Sequence, residues 1–303
     1  MKRDQQLENN EKARQTAKEV YDLARQITAE LHAEHRRPCV RFTLEPGEPE
    51  LCASKAGGTP YLPRDMAWPL DGEGGPLSLL AQVDCAGLSG LPDFPQTGLL
   101  QFWIAWEDVC GVDFEDLTNT AGFRVLYHET MDPSVTAEEV QAKRPPRPED
   151  DYDDDWGPVF VPCRICPQPA VEQGMNTLDP RFPALFLEKW NKARPDLRLD
   201  HWWGLHALVA DRLRDYDATG QPGWTAPFHQ LGGYPYFTQQ DPRPGRYEDL
   251  DVVLFQLDSE MRDTGKGGDL VLWGDCGVCN FFINREALKR RDFSRVAYTW
   301  DCC

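Results

Sequence analysis

The 303-residue chain is 41% hydrophobic and carries 10 Trp, 9 Tyr and 14 Phe, which is enough apolar area for a buried core and excludes a disordered chain. Its 50 acidic against 32 basic residues leave a net charge of −18, which disfavours nucleic acid and anionic membrane as direct partners and suits a basic one. The first residues hold no apolar run of the secretory kind, and no window reaches the roughly 18 apolar residues of a membrane span, so the expected compartment is the cytoplasm. There the 10 Cys are expected as reduced thiols or metal ligands, not as a disulfide framework.

Residues 8–36 read as a helix, with Val20, Leu23, Ile27 and Leu31 on one face and Pro38 ending it. "VRFTL" alternates Val40, Phe42 and Leu44 with polar residues and reads as a half-buried strand. Residues 77–84, 98–106 and 123–128 read as further strands between Gly and Pro clusters. Residues 132–180 are charged and Pro-rich, the pattern of a linker or surface insertion. Helices are expected at 184–193 and 205–217, strands at 249–260, 268–275, 279–284 and 295–300, and a helical turn or two at 285–290.

Three segments occur twice in the same order. "GGTPYLP" (57–63) matches "GGYPYFT" (232–238), "LAQVD" (80–84) matches "LFQLD" (254–258), and "QFWI" (101–104) matches "NFFI" (280–283). The pattern points to an internal duplication and to an α+β fold. That fold is a β-rich single compact domain built from two related halves, with an N-terminal helix and a few short helices. The expected organisation is a helix at 1–38, a first half at 39–131, an acidic Pro-rich insertion and connecting helix at 132–200, and a second half at 201–303. The paired glycines suit sharp turns at positive φ. Gln82 and Gln256 either bond a neighbouring backbone from within the core or, with Asp84, His229, Asp258 and Asp275, line a cleft between the halves. His229 has Ser54 as its first-half counterpart.

Taken together, these segments resemble the YwqG-like family of bacterial proteins, which has no established activity. The match runs through Gly57, Gly58, Pro60, Leu62, Pro63, Trp68 and Pro69, then Leu80, Gln82, Val83 and Asp84. It continues through His229, Leu231, Gly232, Gly233 and Pro235, then Trp273, Gly274, Asp275, Gly277, Phe281, Phe282 and Ile283. The resemblance implies a mixed α and β fold and supplies no catalytic residues. Some relatives sit among toxin–immunity gene sets, which implies a binding role.

Two CxxC pairs, Cys163 with Cys166 and Cys276 with Cys279, have the spacing by which a zinc knuckle presents two thiolates, and they would make one structural zinc site if they met. The other reading is that they are small apolar residues beside turns. The chain contains no H-E-x-x-H, G-x-S-x-G or P-loop motif. Glu149, Asp150, Asp151, Asp153, Asp154 and Asp155 crowd around Tyr152 and beside Trp156, either as a solvated loop or as a surface for a basic partner. The expected function is non-enzymatic: an immunity protein that binds a basic toxin, such as a nuclease, through that run. The alternatives are an enzyme or ligand-binding protein with a cleft between the halves, and a zinc-stabilised module.

Overall fold

The N-terminal helix pattern forms α1 (Lys2–Glu34), and the alternating stretch that follows forms β1 (Arg36–Pro46). The computed structural model describes residues 2–146, 157–202, 204, 228–261 and 268–302, so the expected helix at 205–217 and the acidic run at 149–156 lie outside the described residues. The chain divides into two compact units, residues 1–37 with 173–225 and residues 38–172 with 226–303. In the first unit α1 buries Ala17, Val20, Ala24, Ile27 and Leu31. There α3 (Phe182–Ala193) spaces Phe182, Phe186 and Trp190 four apart, and the three rings stack in series on one buried face. Among the described residues no helix is long and apolar enough to cross a membrane.

The second unit is β-rich. Its strands are β1, β2 (Lys55–Ala56), β3 (Ser78–Asp84), β4 (Leu99–Ile104), β5 (Phe123–His128), β6 (Cys163–Pro167), β8 (Gln230–Gly232), β9 (Val252–Asp258), β10 (Val278–Ile283) and β11 (Val296–Asp301). Short helices α2 (Ala137–Gln141) and α4 (Arg285–Lys289) lie between strands, and β7 (Val171–Gly174) follows β6. Ten strands run in the order β11-β10-β9-β8-β1-β6-β2-β3-β4-β5. The sheet nearly closes: the end strands meet through Phe123 and Tyr298, 5.3 Å between ring centroids. Phe102 packs against both Phe255 and Phe281 (4.5 and 4.9 Å), so rings fill the space between the two stretches of sheet.

The registers on the two sides match. Lys55 pairs with Gln82 and Gln82 with Gln101; on the other side Gln230 pairs with Gln256 and Gln256 with Asn280. β6 brings Arg164 to Lys55 and Cys163 to Ala56, as β1 brings Arg41 to Gln230 and Val40 to Leu231. Exchanging the sides therefore carries Thr43 onto Cys166, and these two residues face each other across β1 and β6. All four turn glycines hold positive φ, at 65° and 71° for Gly57 and Gly58 and at 70° and 71° for Gly232 and Gly233.

Two expectations need correction. The segment 132–180 is not wholly surface: it supplies β6, whose Cys163 and Ile165 are buried in the middle of the sheet. Its charged and Pro-rich flanks conceal a five-residue strand. Residues 268–275 form no strand; only Val271 bridges, to Val159 and Glu260. Gly274 at φ 54° starts a turn that ends with Gly277 N–H on Trp273 O.

Gly232 and Gly245 separate strain from clash. Both have positive φ (70° and 77°), but a Cβ on Gly232 would lie 2.5 Å from the Pro38 carbonyl oxygen, whereas one on Gly245 would meet nothing within 4 Å. Gly245→Ala is expected to cost about 1–2 kcal/mol from φ alone, and Gly232→Ala roughly twice that because backbone must shift as well. Denaturant midpoints of the two variants check this; equal shifts would mean the turn relaxes freely.

Candidate functional site

The paired Gln residues are not a cleft. Gln82 is fully buried, accepts the Tyr61 N–H at 3.1 Å and donates to the carbonyls of Leu51 and Ala53 (2.7 and 2.8 Å). Gln256, equally buried, accepts the Tyr236 N–H at 2.8 Å and donates to Phe228 O at 2.5 Å. Gln101 and Asn280 complete each set by donating to Tyr61 O and Tyr236 O. These amides tie the segment after each Gly–Gly turn to the sheet from fully buried positions, where no open face is presented to a ligand.

His229 plays the part that Ser54 plays on the other side. The Ser54 hydroxyl accepts the Asp84 N–H at 2.8 Å, and His229 Nδ1 accepts the Asp258 N–H at 3.1 Å. With Nδ1 an acceptor, the ring proton is on Nε2, which faces Glu260 Oε2 at 3.1 Å. Both ring nitrogens are engaged and the ring stacks on Phe42, so His229 has no lone pair for proton transfer to a substrate. Asp84 caps the short 3-10 helix Cys85–Leu88 through Ala86 N–H. Asp258 is buried and accepts from Phe228 N–H and Ser259 N–H. Asp275 is exposed.

The four cysteines do not converge. Cys163 and Cys166 lie three apart on a strand, so their side chains point to opposite faces: Cys163 is buried, Cys166 partly exposed. Cys276 is exposed in the turn, whereas Cys279 is buried in β10, where burial pushes its thiol well above the ordinary range. Among the described residues no three His, Cys, Asp or Glu side chains are grouped to hold a metal ion.

A concave feature lies elsewhere among the described residues. A cleft of about 470 Å³ opens between the β2–β3 and β4–β5 connections, lined by Asp71, Glu73, Trp106, Glu107 and Asp113. None of its lining residues carries a basic side chain, a thiol, a hydroxyl or an imidazole. Each wall is a turn held by its own carboxylate. Asp71 accepts from Glu73 N–H and Gly75 N–H, both at 2.8 Å. Glu107 accepts from Val109 N–H and Gly111 N–H (3.2 and 2.6 Å). Asp113 accepts from Asn119 Nδ2 and from the N–H groups of Asp116 and Glu115, bonds that hold its carboxyl below the usual range and keep it ionised. At the floor a Cβ on Gly111 would lie 2.0 Å from Gly122 O, so only glycine lets the β4–β5 connection fold back so closely on itself. Gly157 packs directly on Trp106, where a Cβ would overlap the indole at 1.6 Å. Reading the sequence by motif passed over this site, because its carboxylates come from two distant connections. The local signal was present in "EDVCGVDFED" (107–116), with five carboxylates in one turn-rich stretch.

Burial raises the Asp258 carboxyl above its ordinary value of 3.8, against the opposing pull of Phe228 N–H, His229 and Ser259 N–H. The folded state therefore holds this proton to higher pH than the unfolded state does. The stabilisation from Asp258 is complete below 3.8 and declines as pH rises through the raised folded value. Asn at this position does not titrate. The stability of the native protein relative to Asp258→Asn should fall with rising pH across that window and then level off; urea denaturation over a pH series measures it, and a flat difference would contradict the assignment.

No curated protein matches the chain. A family model described as a domain of unknown function (DUF1963) matches residues 54–302 and so takes in the segments that resemble YwqG-like proteins. On that match the chain belongs to the DUF1963 family.

Proposed function

We propose that this protein is a non-enzymatic binding protein of the immunity kind, which neutralises a basic toxin in the cytoplasm by covering it, and that it arose by internal duplication. The observation that carries the binding reading is the acidic cleft on a chain of net charge −18. Four carboxylates beside an indole suit a Lys or Arg side chain, through ion pairing and cation–π attraction. His229, Gln82 and Asp258 are engaged in hydrogen bonds that hold the backbone. The run from Glu149 to Trp156 adds six further carboxylates to the acidic charge that would draw such a partner. A toxin that acts on nucleic acid presents a basic face of the matching sign.

The duplication reading draws support from the matched registers and from Lys55. Lys55 is buried and donates to Thr59 O at 3.0 Å and Pro49 O at 3.2 Å. Its counterpart Gln230 donates to Tyr234 O at 2.8 Å, the residue equivalent to Thr59. An amide thus does in one half what an ammonium does in the other.

Two outcomes are expected. Lys55→Gln should fold with stability equal to or above that of the native chain, since it removes a charge whose pKa burial depresses, whereas Lys55→Met should lose about 1–3 kcal/mol by leaving carbonyls unpaired. Thermal and urea unfolding decide it, and a Gln variant as damaged as the Met variant would count against the shared role. Association with a cognate basic toxin, followed by stopped flow, should be fast at low salt, up to about 10⁸–10⁹ M⁻¹s⁻¹, and slow steeply as salt rises. Changing Asp151, Asp153 and Asp154 to Asn should reduce the on-rate more than it raises the off-rate. A salt-independent rate, or no binding, would overturn the reading.

A further inference from the structure

We propose that the β4–β5 connection is a docking surface on which a basic protein seats an apolar side chain against Val109, Phe114 and Trp300. The proposal rests on the binding reading above and names the face that does the binding.

Two apolar side chains in this connection are left in water: Phe114 is 56% exposed and Val109 38%. Phe114 does not hang free. Its ring leans on Trp300 (6.3 Å between centroids), and Trp300 in turn rests on the buried Trp273 at 6.0 Å. The outcome is a partly exposed aromatic ledge built on the core.

The backbone beneath the ledge is fastened at several points. Trp300 Nε1 donates to Val109 O and the Tyr298 hydroxyl to Cys110 O, at 2.8 and 2.9 Å. Leu117 accepts from Tyr298 N–H and donates its own N–H to the Tyr247 hydroxyl. Arg246 holds Glu115 O. A loop tied down in this way can bind without paying the entropy of ordering itself.

The charge around the ledge selects the occupant. Glu107, Asp108, Asp113, Glu115 and Asp116 surround the two apolar residues in sequence, and Arg246 donates to the Glu115 carbonyl among them. Asp116, like Asp113, is held ionised, by the Thr118 hydroxyl and N–H. Apolar anchors inside a charged rim are the arrangement in which few residues carry most of the binding energy. A second copy of this acidic chain would be repelled by such a rim; a basic surface with a protruding Leu or Met would fill it. Phe160, 46% exposed, lies outside this stretch and serves as an internal control.

The test uses two short peptides of equal positive charge, one of Lys alone and one amphipathic, of Lys and Leu. Affinity is measured by calorimetry at low salt for the native chain, Phe114→Ala, Phe160→Ala and the double variant Asp108→Asn with Glu115→Gln, each first shown to melt like the native protein. The amphipathic peptide should bind the native chain about tenfold more tightly than the Lys peptide. Phe114→Ala should erase that preference, Phe160→Ala should keep it, and the double variant should weaken both peptides. A preference that survives Phe114→Ala, or that Phe160→Ala abolishes, places the apolar contact elsewhere and overturns this proposal while the basic-partner reading stands. Failure of both peptides to bind at low salt overturns both.

Discussion

A glutamine side chain in the middle of a buried strand must find partners for both ends of its amide, because an unpaired buried polar group costs about 1–3 kcal/mol. Gln82 and Gln256 meet that requirement by reaching across to the backbone that follows a Gly–Gly turn. Much else follows from this bond. It determines where the turn must lie, and the turn then demands positive φ at two successive residues, which only glycine adopts without strain. It also fixes the register of each short strand against its long neighbour, since a slip by one residue would move the amide to the other face. The same arrangement occurs at both ends of the strand order, and β1 and β6 join the two ends.

Closing the sheet sets where chemistry is available. Strands covered on both faces hold polar side chains inside by engaging them there, as His229, Asp258 and Gln101 are. The connections are under no such demand. The β4–β5 connection lies over the end strand β11, fastened by Tyr298 and Trp300, and presents its carboxylates and its two exposed apolar residues outward. The surface features that could meet a partner are therefore found on the segment that also covers the open edge of the sheet, an edge that proteins must otherwise protect from pairing with other chains.

The cysteine pairs and His229 show how spacing misleads without geometry. CxxC brings two thiolates together on a turn or a helix; on a strand the two residues face opposite ways, as Cys163 and Cys166 do. His229 stood out because its first-half counterpart is Ser54, yet both side chains do the same work, each accepting the N–H of the Asp that ends the long strand. A difference in residue type concealed an identity of role.

The sequence by itself determined the long strands, the helix-forming faces, the glycine turns and the correspondence between Gly57–Gly58 and Gly232–Gly233, because these depend on local periodicity and on backbone sterics that a few neighbouring residues dictate. It also set the sign of the surface charge. Only the tertiary structure decided that Cys163–Pro167 is a central strand, since a short strand's identity comes from the neighbours it pairs with, not from its own Pro-rich flanks. The acidic cleft, too, exists only after folding: Asp71 and Glu73 come from one connection and Glu107 and Asp113 from another, and the glycines at positions 111 and 122 are what let the backbone close its floor.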